Sequence, residues 1–413
     1  MEDKKKRILL INHYAGSQDM GMEFRPYYFA REWVKNGYHV DIIAADYSHL
    51  RINNPQIQKD FEEQIIDGIH YHWVHTKTYD GNGVKRALSM FQFVGKLWLH
   101  AKAIAKEMKP DVIITSSTYP LDTYAGQRIK KYAEGITLIH EIHDMWPISP
   151  MELGHMSKYN PFIVAMQMGE NSFCKKSDKI VSLLPYAKDY LIQHGMKEEK
   201  FFHIANGIVI EDWKQKGDLP EEHETLLNQL KLEGRTIIGF FGSHTKSYAL
   251  QYLIDAVKQM PNENICAVFV GNGIDKDSLM EYAATTAQVY FLPPVKKNCI
   301  PALLEKFDIL YVGAVNNRML RFGICMNKLF DSMMSGKPIL YAVNAPNNYI
   351  EDYHCGVSVA PEDVEALKLG IRKLLNMSKE QLSEMGQNGQ KAVLENFENG
   401  VLAGRFLKVM GFE

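Results

Sequence analysis

Two stretches of the 413-residue chain set cations and small residues where a phosphate would want them. In FFGSHTKSYALQYLIDAV an apolar run ends at Gly242, and a short polar loop holding Ser243 and Lys246 leads into an apolar-periodic helix. Backbone amides at a helix start, with a mobile ammonium beside them, make a cradle for an anion. The spaced glycines and Gly-Lys-Ser/Thr ending of a Walker loop are missing, which disfavours ATP hydrolysis of that type; a solvated loop lysine is the plain alternative. In NNRMLRFGICMNKLFDSMMSGKPIL, Gly323 precedes a helix expected from near Met326, and Gly336 ends it. The amides of residues 323–326 are expected to point outward. Asn327 and Asp331 stand four apart and share a helix face, Lys328 lies beside them, and Arg318 and Arg321 precede them. The cations suit a diphosphate. A carboxylate can take both hydroxyl protons of a ribose, so Asp331 is the candidate for that contact. A capped helix with a solvated charged face would show the same residues.

Two further clusters lie in the first half. In HEIHDMWPISP, the residues His140, Glu141, His143 and Asp144 crowd a strand end before Pro147 turns the chain. His140 and His143, at odd separation on one strand, project to opposite faces, which argues against a shared zinc. His143 reads either as a ligand contact or as a strand-end histidine with a satisfied hydrogen bond. The loop AGSQDMGMEF carries Gly16 and Gly21 ahead of a helix, where backbone can approach a ligand closely; an ordinary strand-to-helix turn would look alike.

These clusters need elements to position them. Buried-strand runs at 7–13, 38–45, 111–115, 136–142 and 179–183 alternate with helical stretches, the pattern of a parallel sheet covered by helices. Residues 63–76 alternate about Asp67-Gly68 and read as a small decorating hairpin. A charged stretch with Gly217 and Pro220 separates this series from a second one, TIIGFFG, ICAVFVG, VYFLPP, DILYVGA and PILYAV. The length exceeds what one core supports, so two α/β domains are expected, 1–204 and 205–393, with 394–413 as a helix returning to the first. Two such sheets would place their carboxyl-end loops around a shared cleft.

Composition narrows the classes. Lys and Arg number 47 against 49 Asp and Glu, a net charge of −2, so no global field recruits nucleic acid. Five cysteines without a C-x-x-C pair read as free thiols in a reducing compartment. No signal-peptide pattern and no run of eighteen apolar residues occurs, so a cytoplasmic protein is expected. The segment GVKRALSMFQFVGKLWLHAKAIAKEMK places Leu88, Phe91, Val94, Trp98 and Ala101 on one face amid Lys85, Arg86, Lys96, Lys102 and Lys106. That face either packs on the first sheet or rests on an anionic membrane.

RPYYFAREWVKNGYHVDIIAA, EIHDMWPISP, the Asn-Gly of IANGIVIEDW, FVGNGIDKDSL, FLPPVKKNCIPALLEKFDILYVGA and FGICMNKLFDSMMSGKPIL occur in one order. In this combination the sequence resembles, over nearly its whole length, the retaining glycosyltransferases of family four. These have the GT-B fold of two Rossmann-like doubly wound domains; the bacterial branch that builds capsule, exopolysaccharide and O-antigen is the nearest in pattern.

The resemblance implies a UDP-type sugar donor held mainly by the second domain. Its pyrophosphate would lie near Lys246 and Lys328 and at Gly323 and Ile324, with the ribose on Asp331. The base would lie against Gly271, Asn272 and Val295. His143 and the loop from Gly16 to Gly21 would approach the sugar and leaving phosphate, and Glu23, Arg25 and Asp144 would meet the acceptor. The family's glutamate-x7-glutamate pattern is altered to Gly323 and Asp331, which leaves Arg318, Arg321 or the 323–325 backbone to replace the first carboxylate. The resemblance further implies retention by same-face attack, with no nucleophilic carboxylate. No Asp-x-Asp metal motif occurs, so no metal and no cofactor beyond the nucleotide sugar are expected. The acceptor would be a saccharide or a polyprenyl-diphosphate-linked sugar at the inner membrane surface. A sugar-nucleotide epimerase and a catalytically silent donor-binding subunit are the competing readings.

Overall fold

The computed structural model describes residues 5–21, 24–81 and 83–412. The chain forms two compact units, residues 1–205 with 399–413, and residues 206–398. The first is built on an eight-stranded sheet. Its strands are β1 (Arg7–Ile11), β2 (His39–Ala45), β3 (Glu62–Ile66), β4 (Ile69–Val74), β5 (Val112–Thr115), β6 (Thr137–Ile142), β7 (Lys179–Ser182) and β8 (Phe201–His203). Their order is β3-β4-β2-β1-β5-β6-β7-β8, parallel except for β3. RILLI and VIIT are buried along almost their whole length, as strands covered on both faces must be.

The hairpin does more than decorate. Asp67 and Gly68 both have positive φ (51° and 78°), the geometry of a tight primed turn. Its second strand then pairs in parallel with β2, Asp41 opposite His70, so the hairpin extends the sheet edge.

At the far end of the sequence, the helix Asn399–Met410 lies on the helix Phe24–Lys35. Phe406 meets Phe29 and Trp33 at 5.9 and 5.4 Å, and Trp33 Nε1 donates to the Ala403 carbonyl. Aromatic burial therefore ties residues 399–410 to the first unit.

The helix Val84–Met108 divides the residues grouped on one face above. Val94 and Ala101 are buried with Met90, Phe93, Leu97, Ile104 and Met108. Leu88, Phe91 and Trp98 are exposed, and Val84 and Leu99 extend their stripe. The spacing 84, 88, 91, 98 follows the helix period, so the helix carries a core face and a second apolar stripe in solvent.

The second unit has a six-stranded parallel sheet: β9 (Thr236–Phe241), β10 (Ile265–Val270), β11 (Val289–Leu292), β12 (Ile309–Gly313), β13 (Ile339–Ala342) and β14 (Gly356–Ser358), in the order β11-β10-β9-β12-β13-β14. The strand order reverses beside β9, between β10 and β12, and in the first unit beside β1, between β2 and β5. In open α/β sheets the crevice at such a reversal, outside the carboxyl ends of the strands, is where ligands bind.

Candidate functional site

In the second unit the reversal brings β9's carboxyl end to Gly242. Its φ of 121° favours glycine, and a Cβ there would lie 2.9 Å from Lys328 Nζ. Gly271, after β10, has φ 150°, and a Cβ on it would lie 1.9 Å from the Gly242 carbonyl oxygen. The two turns can touch only because Gly271 lacks a side chain, and the Lys328 ammonium can approach because Gly242 does.

Lys328 enters from the first turn of the helix Asn327–Met334, whose N-cap, Met326, has no capping side chain. Its ammonium lies 3.3 Å from the Tyr248 ring centroid and 4.3 Å from that of Phe240. Nζ is buried and makes no hydrogen bond. Two ring faces attract a cation but do not replace lost water, and burial pushes the group down to about 7. An unpaired ammonium beside an uncapped helix start has the chemistry to take an anion.

His244 lies beneath the same loop, fully buried, with both ring nitrogens unpartnered. Burial, then Lys276 and Lys328, press it down to about 4, so it is neutral. The Lys276 ammonium donates to the carbonyls of Gly271 and Leu292, fixing the β10 and β11 turns. Neither residue was picked out from sequence. A polar residue two positions past a strand-ending glycine is the signal His244 offered.

The other candidates divide. Ser243, Lys246 and Asn272 are exposed on the loops around Gly242 and Gly271, and Val295 is half-buried after β11. The Lys246 amide donates to Asp275, and the Asn272 side chain accepts from the Gly273 amide. Arg318 and Arg321 are exposed, and Arg321 lies over Phe322 at 4.3 Å. Two amides differ from expectation. Gly323 N–H bonds the Leu320 carbonyl, and Ile324 N–H bonds the Asn347 side chain, which also donates back to the Ile324 carbonyl. These two donors face inward, Gly323 closing a local turn on Leu320 and Ile324 held by Asn347. Asn327 is exposed. Asp331 hydrogen-bonds the Trp213 side chain; burial raises it to about 6, with Lys297 and that bond pulling the other way. The structure thus gathers Gly242, Gly271, His244, Lys276 and Lys328, while Asp331 meets Trp213.

In the first unit, the β1 loop is fastened by Arg51, whose guanidinium donates to the Ala15 carbonyl at 2.6 and 3.1 Å. Gly16 accepts from Tyr71 Oη, and Gly21, φ 94°, pairs with Arg51. Beside the loop, His143 Nε2 lies 2.8 Å from Ser116 Oγ and 3.1 Å from Glu141 Oε2, and Ser116 donates to Glu141 at 2.6 Å. Burial would raise Glu141, but Arg25, His143 and Ser116 hold it well below the usual carboxylate range. His140 points the other way, 2.7 Å from Thr115 Oγ1 and stacked on Phe173.

Arg25 turns inward in this geometry. Its guanidinium is engaged by Glu141 at 3.0 Å and by the carbonyls of Ile204 and Ala205, and its side chain is 9% exposed. It neutralises Glu141 and is tied to these partners. Asp144 is exposed and orders the turn after β6, accepting from the Met145 amide, Ser149 Oγ and Trp146 Nε1. Glu23 lies outside the described residues. Asp122 escaped the sequence reading. One of its oxygens accepts from the Ser117 amide, the other is buried without a partner, and burial raises it to about 7. Its signal was the polar run SSTYPLD directly after the buried strand VIIT.

The sequence matches the family described as Glycosyltransferase Family 4 over residues 20–212 and the family described as Glycosyl transferases group 1 over residues 222–392. It is 22% identical over 335 residues to a probable glycosyltransferase, WbjE, of Pseudomonas aeruginosa, covering 78% of each chain. It is 25% identical over 305 residues to a putative colanic acid biosynthesis glycosyl transferase, WcaI, of Escherichia coli, covering 72% of this chain and 74% of that one. Among solved structures, HepE of Anabaena in complex with UDP-glucose superposes with a TM-score of 0.65 at 14% identity, over 98% of this chain and 99% of that one.

Proposed function

Since the chain belongs to the family-four type of glycosyltransferases and has the GT-B fold, we propose that it transfers a sugar, with retention and without a metal, from a UDP-type donor to a saccharide or polyprenyl-diphosphate-linked acceptor in surface-polysaccharide assembly. The observation that carries the donor assignment is the buried, unpartnered Lys328 ammonium at Gly242, beside an uncapped helix start. Negative charge grows on the departing diphosphate. A preorganised cation and fixed amides aimed at it lower the barrier without reorganisation. Lys246, from the loop, adds a mobile second charge, and Asp331 holds the ribose. The complex of HepE with UDP-glucose supports a donor of this class; WcaI, described as a putative colanic acid biosynthesis glycosyl transferase, supports the polysaccharide setting.

In the reaction the bond from the anomeric carbon to the diphosphate oxygen breaks, the acceptor oxygen bonds to the same face, and the acceptor proton passes to the leaving phosphate. His143, held by Ser116 and Glu141, orients the sugar. No helix among the described residues is long and apolar enough to cross a membrane. The exposed stripe of Val84, Leu88, Phe91, Trp98 and Leu99, with exposed Lys85, Lys102 and Lys106 on the same helix, supports contact with an anionic membrane surface where a lipid-linked acceptor resides.

Purified protein incubated in EDTA with a panel of UDP-sugars and lipid-linked acceptors tests this. Acceptor-dependent UDP release with an α-configured product from an α-donor is expected. Conversion of the sugar without acceptor would mark an epimerase, and donor binding without any UDP release a silent subunit.

A further inference from the structure

A second cluster sits in the first unit, away from the loops just described. His39 and Asp41 lie on one face of β2, His70 and His72 on the same face of β4, and the register sets Asp41 directly across from His70. His39 is the first residue of β2 and His70 the second of β4. The cluster therefore occupies the amino-terminal end of these strands, opposite the carboxyl-end loops of the same sheet.

One ligand atom each from His39, Asp41 and His70 lie within 4.8 Å of one another. His39 Nε2 is buried, has no hydrogen bond, and stands 3.1 Å from Asp41 Oδ2. His72 Nε2 bonds Asp41 Oδ1 at 2.9 Å, which fixes the carboxylate and turns Oδ2 toward His39. Glu63 bonds His70 Nδ1 at 2.6 Å. A carboxylate on one nitrogen of an imidazole selects the tautomer whose other nitrogen carries the lone pair, as in carboxylate–histidine–zinc arrangements. The rings of His39 and His70 lie 4.5 Å apart.

We propose that His39, Asp41 and His70 bind one divalent transition-metal ion of the zinc class, with water or His72 as fourth ligand. Two imidazoles and a carboxylate are borderline-to-hard donors, the set of a tetrahedral zinc site. Ligand atoms about 2.0–2.1 Å from zinc lie roughly 3.4 Å apart, so atoms that already lie within 4.8 Å of one another need close by at most about 1.4 Å, which the partial exposure of both histidines permits. Arg7 competes. Its guanidinium lies 3.3 Å from Asp41 Oδ2 and would yield that oxygen to the metal, with Asp111, whose carboxylate already takes the Arg7 amide, beside it as an alternative partner. The ion would join β2 to the edge hairpin and take no part in sugar transfer.

Chelator-treated full-length protein titrated with zinc chloride by calorimetry should bind one ion per chain, and zinc should raise its melting temperature. His39→Ala and His70→Ala should each weaken binding at least tenfold, Glu63→Gln by about tenfold, and Arg7→Ala should tighten it. His354→Ala, at an exposed position of the second unit, is the control and should change nothing. Cobalt should give visible bands of a tetrahedral site that the His39 and His70 variants abolish. Absence of zinc uptake, or uptake indifferent to both histidine variants when their circular dichroism is native, would overturn the proposal.

Discussion

Replacing Lys328 by Met keeps the length and packing of the side chain while deleting the ammonium that faces Gly242, and its two consequences have opposite signs. With a diphosphate bound, the ammonium makes charge-assisted hydrogen bonds in a site shielded by Tyr248 and Phe240. Loss of such a bond costs about 1.5–3 kcal/mol, or roughly a 10- to 150-fold weaker Kd for UDP. In the ligand-free protein the same charge is a burden, because it is buried without a hydrogen bond. Folding lowers this group from 10.5 to about 7. Between those values the unfolded chain binds more protons, so the contribution of Lys328 to stability is least favourable below pH 7 and improves as pH rises toward 10.5. Lys328→Met should therefore raise the apo melting temperature at pH 7 by roughly 2–4 °C, for about 1 kcal/mol relieved. It should also flatten the rise in stability above that pH. Binding of UDP must protonate the lysine in wild type, so its Kd should weaken by up to about tenfold per pH unit from pH 7.5 to 9, and the variant should lose this dependence. Calorimetry and thermal melts across pH measure both effects. A variant that melts lower than wild type yet binds UDP within twofold would refute the reasoning.

Glu141→Gln leaves the Arg25 guanidinium buried beside a neutral amide and should destabilise the first unit by about 3–5 kcal/mol, seen as a lower melting temperature with UDP affinity unchanged. His143→Ala should lower kcat by tenfold or more while the Kd for UDP stays within twofold, since His143 is assigned to the sugar; equal losses in both would place it on the nucleotide. Asp331→Ala should weaken UDP and abolish any preference over 2′-deoxy-UDP, measured by competition; a preference that survives would remove the ribose from Asp331. Leu88→Glu with Leu99→Glu should reduce sedimentation with phosphatidylglycerol vesicles without altering the melting temperature, because both side chains are already exposed.

The sheets were legible because buried parallel strands read as unbroken apolar runs, RILLI and VIIT in one unit and ICAVFV in the other. β8 and β14 are three residues each, too short for any periodicity to register. Asp67-Gly68 announced its turn, but whether the hairpin stood apart or joined the sheet depended on pairing between β4 and β2, thirty residues away. The site was legible as a set of loops and less so as contacts. A lysine one residue into a helix is ordinary; that Lys328 ends against Tyr248, 80 positions earlier, is a tertiary fact. Arg25 looked available because nothing local predicts a buried glutamate 116 residues on. The inward amide of Ile324 follows from Asn347, 23 residues on, and the histidines around Asp41 meet only through strand register.

Hydrogen–deuterium exchange on the full chain with and without UDP, in EDTA, puts the donor-site assignment to its most direct trial. Added UDP should slow exchange at 242–249, 271–276 and 326–331, and Lys328→Met should diminish that protection at equal UDP. Protection confined to residues 12–21 and 116–122, with none in the second unit, would contradict the account.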